Sequence, residues 1–154
     1  MYAPVVIFTY NRKQHTENLI ESLKKCETIQ ETEVFIFSDG NKSEKDYSKV
    51  SEVREYLDSL QNEKWCKSLF INKAPKNRGL ALSIISGVSE IIEKYGRVIV
   101  LEDDLVVAEG FLEYMNQALD YYESNEKIWS ISGFTSAIPM LENSLDDVYF
   151  SCRA

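Results

Sequence analysis

Three consecutive acidic residues, Glu102, Asp103 and Asp104, are the strongest chemical signal in the sequence. They directly follow residues 98–101, a short apolar run rich in β-branched side chains. Such a run predicts a central parallel strand that is buried on both faces. In open α/β sheets, ligands bind beyond the carboxyl ends of the strands, and these acids would lie there.

The chemistry of this acidic segment has two interpretations. Adjacent carboxylates repel each other, so each raises the pKa of its neighbour unless a cation lies between them. Carboxylate oxygens suit Mg²⁺ or Mn²⁺, and such an ion could hold the phosphates of a substrate. Alternatively, the acids simply precede the next helix, whose dipole favours negative charge at its start. The spacing of the residues favours neither interpretation.

Polar residues also follow the first predicted strand, residues 5–8. They form the loop at its carboxyl end and are Thr9, Tyr10, Asn11 and Arg12. The next predicted element is a helix over residues 17–26, which Thr16 could cap. His15 is the only histidine, and we expect it to face solvent or to cap the helix because the sequence offers it no partner.

A second polar position comes at the end of the next predicted strand, residues 33–38. Asp39 follows this strand and precedes Gly40, and Asp-Gly is a turn signal that explains the pair without any ligand. The same carboxylate, beside the end of the first strand, could instead receive a base or a ribose hydroxyl.

A basic loop, residues 73–79, precedes a predicted helix over residues 81–95. Its side chains include Lys73, Lys76 and Arg78, which stand out in a chain of net charge −8. A basic loop before a helix N-terminus is suited to anions. A solvated basic turn would explain it equally well.

The bulk composition narrows the class of protein. The length of 154 residues predicts one domain, residues 1–154. The negative net charge and the absence of a long basic run argue against nucleic acid and against an anionic membrane surface as partners. No apolar run approaches the ~18 residues of a transmembrane segment. The odd, scattered set Cys26, Cys66 and Cys152 is typical of reduced thiols, so we expect a cytoplasmic protein.

The order of the predicted elements gives the fold class. The remaining helices are predicted over residues 43–61 and 107–122, and the remaining strands over residues 65–72, 127–132 and 147–152. Alternating strands and helices predict an α/β doubly wound, mostly parallel sheet with helices on both faces. Because the last strand would end two residues before the chain does, we expect a truncated piece of a longer protein.

At this point the sequence resembles a known family. It is similar to nucleotide-sugar glycosyltransferases with the Rossmann-like GT-A fold, both bacterial family-2-like enzymes and the branch related to N-acetylglucosaminyltransferase I. The segments that carry the resemblance are residues 4–12, 38–40, 77–81, 100–108, 111–115 and 128–133.

The resemblance implies a role for each candidate site residue. The Glu-Asp-Asp segment stands in the place of the family's DxD motif. Within it, Glu102 and Asp103 would contact the nucleotide-sugar, and Asp104 would coordinate Mn²⁺ or Mg²⁺. Asp39 would bind the base, commonly uracil. The remaining residues would line the pocket or lie beside the ribose and diphosphate, and they are Thr9, Tyr10, Asn11, Arg12, Asn77, Arg78 and Gly79.

The implied reaction transfers a sugar from an NDP-sugar to a carbohydrate, glycan or lipid-linked acceptor. The divalent ion would stabilise the charge on the diphosphate leaving group as a Lewis acid. The family's acceptor region and catalytic base would lie beyond residue 154, so no catalytic residue can be assigned. We expect Trp129 and residues 148–150 to pack against that absent part, which makes self-association through the C-terminal strand a risk.

Two other functions remain as alternatives. A sugar-1-phosphate nucleotidyltransferase shares the general fold, but it needs a Gly-rich loop after the first strand, and residues 9–12 contain no glycine. A receiver-like signalling module also binds Mg²⁺ at strand ends. Its acid pair should follow the first strand, however, whereas this cluster follows the fourth.

Overall fold

The first strand of the chain lies inside the sheet, with a neighbour on each side. In the computed structural model, which describes residues 2–134, the strand order is β3-β2-β1-β4 and every pairing is parallel. The strands are β1 (Val5–Thr9), β2 (Glu33–Ser38), β3 (Ser68–Lys73) and β4 (Ile99–Glu102). The α-helices are α1 (Lys13–Leu23), α2 (Glu44–Leu60), α3 (Leu80–Tyr95) and α4 (Phe111–Tyr122), and a 3₁₀ helix spans Glu27–Glu31.

The two faces of the sheet are covered by different helices. Val5 and Ile7 of β1 belong to a large core with apolar side chains of α1, α2 and α4. Val6 and Phe8 point to the opposite face and belong to a smaller core with α3. Side chains alternate along a strand, so the uninterrupted apolar sequence of β1 serves both cores. The predicted doubly wound α/β class is confirmed.

Close packing of α3 depends on one glycine. Gly87 faces Phe8 and Phe37, and a Cβ at this position would lie only 3.0 Å from the ring of Phe8. The two rings stack with centroids 5.5 Å apart. The absent side chain therefore lets the helix rest directly on the aromatic pair.

The prediction that residues 98–101 form a central strand buried on both faces is wrong for the described part of the chain. β4 pairs only with β1 there, so it is an edge strand. Ile99 and Leu101 are buried in the larger core, whereas Val100 is 40% exposed. The physical reason is that α3 lies over β1 on this face and leaves the outer part of β4 uncovered.

Other boundaries also differ from the predictions. Residues 127–132 form no strand, although Ile131 packs against the larger core. Helix α1 begins at Lys13, and the Thr16 hydroxyl donates to the Arg12 carbonyl at 3.1 Å instead of capping the helix. Helix α4 begins at Phe111, four residues later than predicted. The predicted strand over residues 147–152, and with it the C-terminal surface for self-association, lies outside the described residues.

The two described cysteines are free. Cys26 is buried, and Cys66 is half-buried. Burial raises the pKa of both thiols, that of Cys66 to about 11. The raised pKa disfavours the thiolate, which is the reactive form of cysteine, for both side chains. Cys152, the third member of the predicted set, lies outside the described residues.

Candidate functional site

The connections of the sheet create a crevice between β1 and β4. From β1 the chain moves outward through β2 to β3, and it then returns by way of α3 to place β4 on the other side of β1. Ligands of open α/β sheets bind at this kind of reversal, outside the carboxyl ends of the strands. A cavity of about 380 Å³ opens there.

This cavity collects most of the residues predicted from the sequence. Its lining includes Thr9, Tyr10, Asn11, Arg12, Asp39, Asn77, Gly79, Glu102 and Asp103. Arg78 and Asp104 are not part of the lining. Arg78 contributes a backbone N–H to the adjoining loop, and Asp104 contacts the Arg12 side chain. The polar residues that follow the strands, together with the family resemblance for residues 77–79, therefore indicated this grouping.

Asp103 is held in a charged pair. Its carboxylate is 4% exposed and accepts a hydrogen bond from Arg12 Nη2 at 2.5 Å and one from the Tyr10 N–H at 3.3 Å. Arg12 Nη1 donates to the more exposed Asp104 at 3.3 Å. Burial raises the pKa of Asp103, although the positive charge of Arg12 acts in the opposite direction. The folded chain thus holds a carboxylate in a place where its ionised form is disfavoured.

The raised pKa of Asp103 predicts a pH dependence of stability. The folded state keeps the Asp103 proton to a higher pH than the unfolded state, whose ordinary value is 3.8. Asp103 therefore makes its full contribution to the free energy of unfolding below pH 3.8, and this contribution is lost as the pH rises through the raised pKa. We therefore expect Asp103→Asn to gain stability relative to the parent chain as the pH rises above 3.8. Urea unfolding at a series of pH values measures the difference, and parallel profiles for the two proteins would contradict the expectation.

Thr9 places an unused polar atom at the same cavity. The residue is 4% exposed, and its hydroxyl has no hydrogen-bond partner among residues 2–134. A buried hydroxyl without a partner is costly and uncommon in folded proteins. The hydroxyl is enclosed by protein atoms, so it could reach a polar ligand in the cavity only after the Thr9 side chain turns.

Asp39 fixes the loop on the other side of the cavity. Its Oδ1 accepts from the backbone N–H of Gly40 at 2.8 Å and of Arg78 at 2.9 Å. Its Oδ2 accepts from the Gly79 N–H at 2.9 Å and from Asn77 Nδ2 at 3.1 Å. Both oxygens are thus fully engaged, and they tie the end of β2 to the start of α3.

Arg54 of α2 lies in an environment that the sequence does not predict. The many charged side chains of this helix predict a solvated face that includes Arg54, but the residue is only partly exposed and reaches the sheet. Its guanidinium donates to the carbonyl oxygens of Ala74 at 2.6 Å and of Asp39 at 3.2 Å. The available signal was its spacing, because Arg54 follows the buried Val50 by four residues and therefore shares its helix face.

Other lining residues were also missed. Phe8 and Phe37 form an apolar wall, and Lys42 reaches the cavity from the segment before α2, where its N–H donates to the Tyr10 hydroxyl at 3.1 Å. Leu80 and Ser83, from the first turn of α3, complete the lining. Aromatic strand residues gave no sequence signal beyond core packing.

The donor atoms fit a divalent ion only in part. Within residues 2–134, no group of three His, Cys, Asp or Glu side chains is arranged to hold a metal. Asp103 lines the cavity, and the neighbouring Asp104, outside the lining, contacts the same Arg12 side chain. Magnesium is commonly bound by one or two carboxylates together with water and substrate phosphates. The pair therefore supplies two carboxylates, which is as many protein ligands as such magnesium sites commonly use.

Comparison with known proteins identifies the family. The sequence profile described as "Glycosyl transferase family 2" matches residues 5–127. The chain belongs to this family. The match extends from the first residue of β1 past the end of α4, so it includes all eleven candidate site residues. A search of curated proteins found no significant match.

Solved structures support the fold. TarS from S. aureus superposes with a TM-score of 0.59 at 16% sequence identity, covering 80% of this chain and 20% of TarS. A structure of TarS residues 1–349 gives the same TM-score at 17% identity and is covered to 33%. The chain thus spans a fifth to a third of the length of these structures. The predicted GT-A fold is confirmed. None of the helices described in residues 2–134 has both the length and the apolar character of a membrane span.

Proposed function

We propose that the chain is the donor-binding part of a glycosyltransferase and that it binds an NDP-sugar, specifically a UDP-sugar, together with Mn²⁺ or Mg²⁺. The observation that carries the proposal is that two buried polar residues, Asp103 and Thr9, line one cavity at the sheet's switch point, and that the Thr9 hydroxyl has no partner there. Membership of glycosyl transferase family 2 favours this function over a receiver module and over a nucleotidyltransferase.

The proposed roles follow from the atoms that each residue offers. Asp104 would coordinate the ion, and we extend this role to the adjacent Asp103, which the family resemblance places against the nucleotide-sugar. When bound, the ion supplies positive charge to the diphosphate leaving group. The Thr9 hydroxyl would bond to a polar group of the donor. The fixed loop at residues 77–79 stands before the N-terminus of α3, and a helix N-terminus favours the negative charge of a phosphate. Glu102, which lines the same cavity and is exposed, would face the donor sugar.

The base is proposed to bind near Asp39. Because both oxygens of Asp39 already accept two protein hydrogen bonds each, an N–H of uracil would have to share an acceptor with the loop. The stacked rings of Phe8 and Phe37 offer apolar contact to the planar base. The acceptor, a carbohydrate, glycan or lipid-linked molecule, and the catalytic base are proposed to belong to a part of the enzyme outside residues 2–134.

Calorimetric titration of UDP into the chain, with and without Mn²⁺, tests the proposal. We expect Mn²⁺ to tighten UDP binding by at least about tenfold, equivalent to about 1.4 kcal/mol. Asp104→Ala should abolish this dependence on Mn²⁺, whereas Asp58→Ala, an exposed residue that pairs with Lys73, should retain it. Equal UDP affinity with and without metal, unaffected by Asp104→Ala, would overturn the metal assignment.

A further inference from the structure

The side chain of Arg12 lies between the two carboxylates that are proposed to hold the ion. Its two terminal nitrogens contact different residues, Nη2 with Asp103 at 2.5 Å and Nη1 with Asp104 at 3.3 Å. This bridging arrangement supplies a positive charge to the acid pair from within the protein. The burial of Asp103 strengthens the interaction, because little water competes for its carboxylate.

The Arg12 guanidinium contacts one oxygen of each carboxylate, Oδ1 of Asp103 and Oδ2 of Asp104, and the Tyr10 N–H donates to Oδ2 of Asp103. Mg²⁺ binds carboxylate oxygens at about 2.0–2.1 Å, so an ion that joins both residues must compete with Arg12 or with the Tyr10 N–H for an oxygen of Asp103. Even when it contacts only Asp104, the ion would meet the repulsion of a neighbouring positive charge. A movement of Arg12 away from the two carboxylates would therefore strengthen metal binding.

The structure allows such a movement. The backbone of Arg12 is fixed at the N-terminal boundary of α1, where its carbonyl accepts hydrogen bonds from the Thr16 N–H and hydroxyl. Its side chain is 45% exposed and borders the cavity. A diphosphate in that cavity would give the displaced guanidinium two acceptor oxygens in the planar geometry that arginine favours.

We propose that Arg12 is an internal counter-ion that competes with the divalent cation for Asp103 and Asp104 and yields when a nucleoside diphosphate enters. The inference rests on the function proposed above. It makes metal and nucleotide binding mutually dependent, since the diphosphate attracts both cations and removes the repulsion between them. By thermodynamic linkage, the nucleotide must strengthen metal binding by the same factor by which the metal strengthens nucleotide binding.

Measuring Mn²⁺ affinity without nucleotide tests the competition. The variant Arg12→Met keeps an unbranched apolar stem but removes the guanidinium and its charge. We expect it to bind Mn²⁺ alone about tenfold more tightly than the parent chain, as determined from the electron paramagnetic resonance signal of free Mn²⁺. The matched control is Lys13→Met, because Lys13 is exposed and pairs with Glu17 rather than with the Asp103–Asp104 pair. Its Mn²⁺ affinity should equal that of the parent chain.

A second measurement on the unmodified chain covers the case in which Arg12→Met does not fold. The ¹⁵N resonances of the Arg12 guanidinium should shift when Mg²⁺ and UDP are added together. Unchanged resonances at saturation, or equal Mn²⁺ affinity in Arg12→Met and the parent chain, would overturn the competition. If UDP still binds in a metal-dependent way, the proposed function survives that result. If UDP does not bind to the parent chain under any condition, the proposed function fails and this inference fails with it.

Discussion

Replacing Asp39 with alanine is expected to lower the free energy of unfolding by about 3–4 kcal/mol and to weaken nucleotide binding. The carboxylate is buried and accepts four hydrogen bonds, three of them from backbone N–H groups of Gly40, Arg78 and Gly79. Alanine leaves these donors without an acceptor in a partly buried place. The loop would then separate from the end of β2, and one wall of the cavity would be lost.

Urea unfolding followed by circular dichroism measures this effect. Asp58→Ala is the matched control, because Asp58 is an exposed aspartate in a surface ion pair with Lys73 and should cost less than about 1 kcal/mol. Asp39→Asn keeps the shape but turns one acceptor into a donor that faces an N–H group, so it should also destabilise the chain. If Asp39→Ala unfolds at the same urea concentration as Asp58→Ala, Asp39 does not brace the loop.

Gly40→Ala is expected to destabilise the chain by about 2–3 kcal/mol through the same loop. A Cβ at this position would lie 2.4 Å from the carbonyl carbon of Lys76 and 2.8 Å from the nitrogen of Asn77. Both neighbouring atoms belong to the backbone, so no side-chain rotation can relieve the overlap. The loop would have to move away, which would lengthen the hydrogen bonds to Asp39.

Gly110→Ala is the control for this substitution. Gly110 precedes α4 with a φ of −82°, and a Cβ there would meet nothing within 4 Å. Its effect should stay within about 1 kcal/mol. Because Gly40 and Asp39 act on one contact, the double variant should lose less stability than the sum of the two single variants. Full additivity would show that the two residues support separate parts of the fold.

Sequence patterns predicted the elements better than their positions in the sheet. The apolar residues of β1 and β2 marked both strands to within one residue. The run at residues 98–101 was equally apolar, yet Val100 is 40% exposed. Apolar side chains occur both in buried and in partly exposed positions. The pattern therefore could not show whether a strand lies in the centre or at the edge of the sheet. The strand predicted over residues 127–132 was wrong for a related reason, because a short apolar run does not by itself form a strand.

The site was predictable in composition but not in its internal contacts. Parallel strands bring their carboxyl ends to one edge, so Thr9, Asp39 and Asp103 could be expected to lie near each other. The pairing of Arg12 with Asp103 joins residues 91 positions apart, and no local rule specifies it. The donors to Asp39 are mainly backbone N–H groups, which carry no side-chain signature. The contacts of the individual site residues could therefore be found only from the structure.

The parallel arrangement of the strands affects the rate and the order in which the chain folds. No strand pair in residues 2–134 is a hairpin, and β1 pairs with β4 between Val5 and Ile99. Such distant pairings are slow to form because a long loop must close first. During synthesis the crevice cannot exist until β4 has left the ribosome, and until then one edge of β1 stays open to association with other chains.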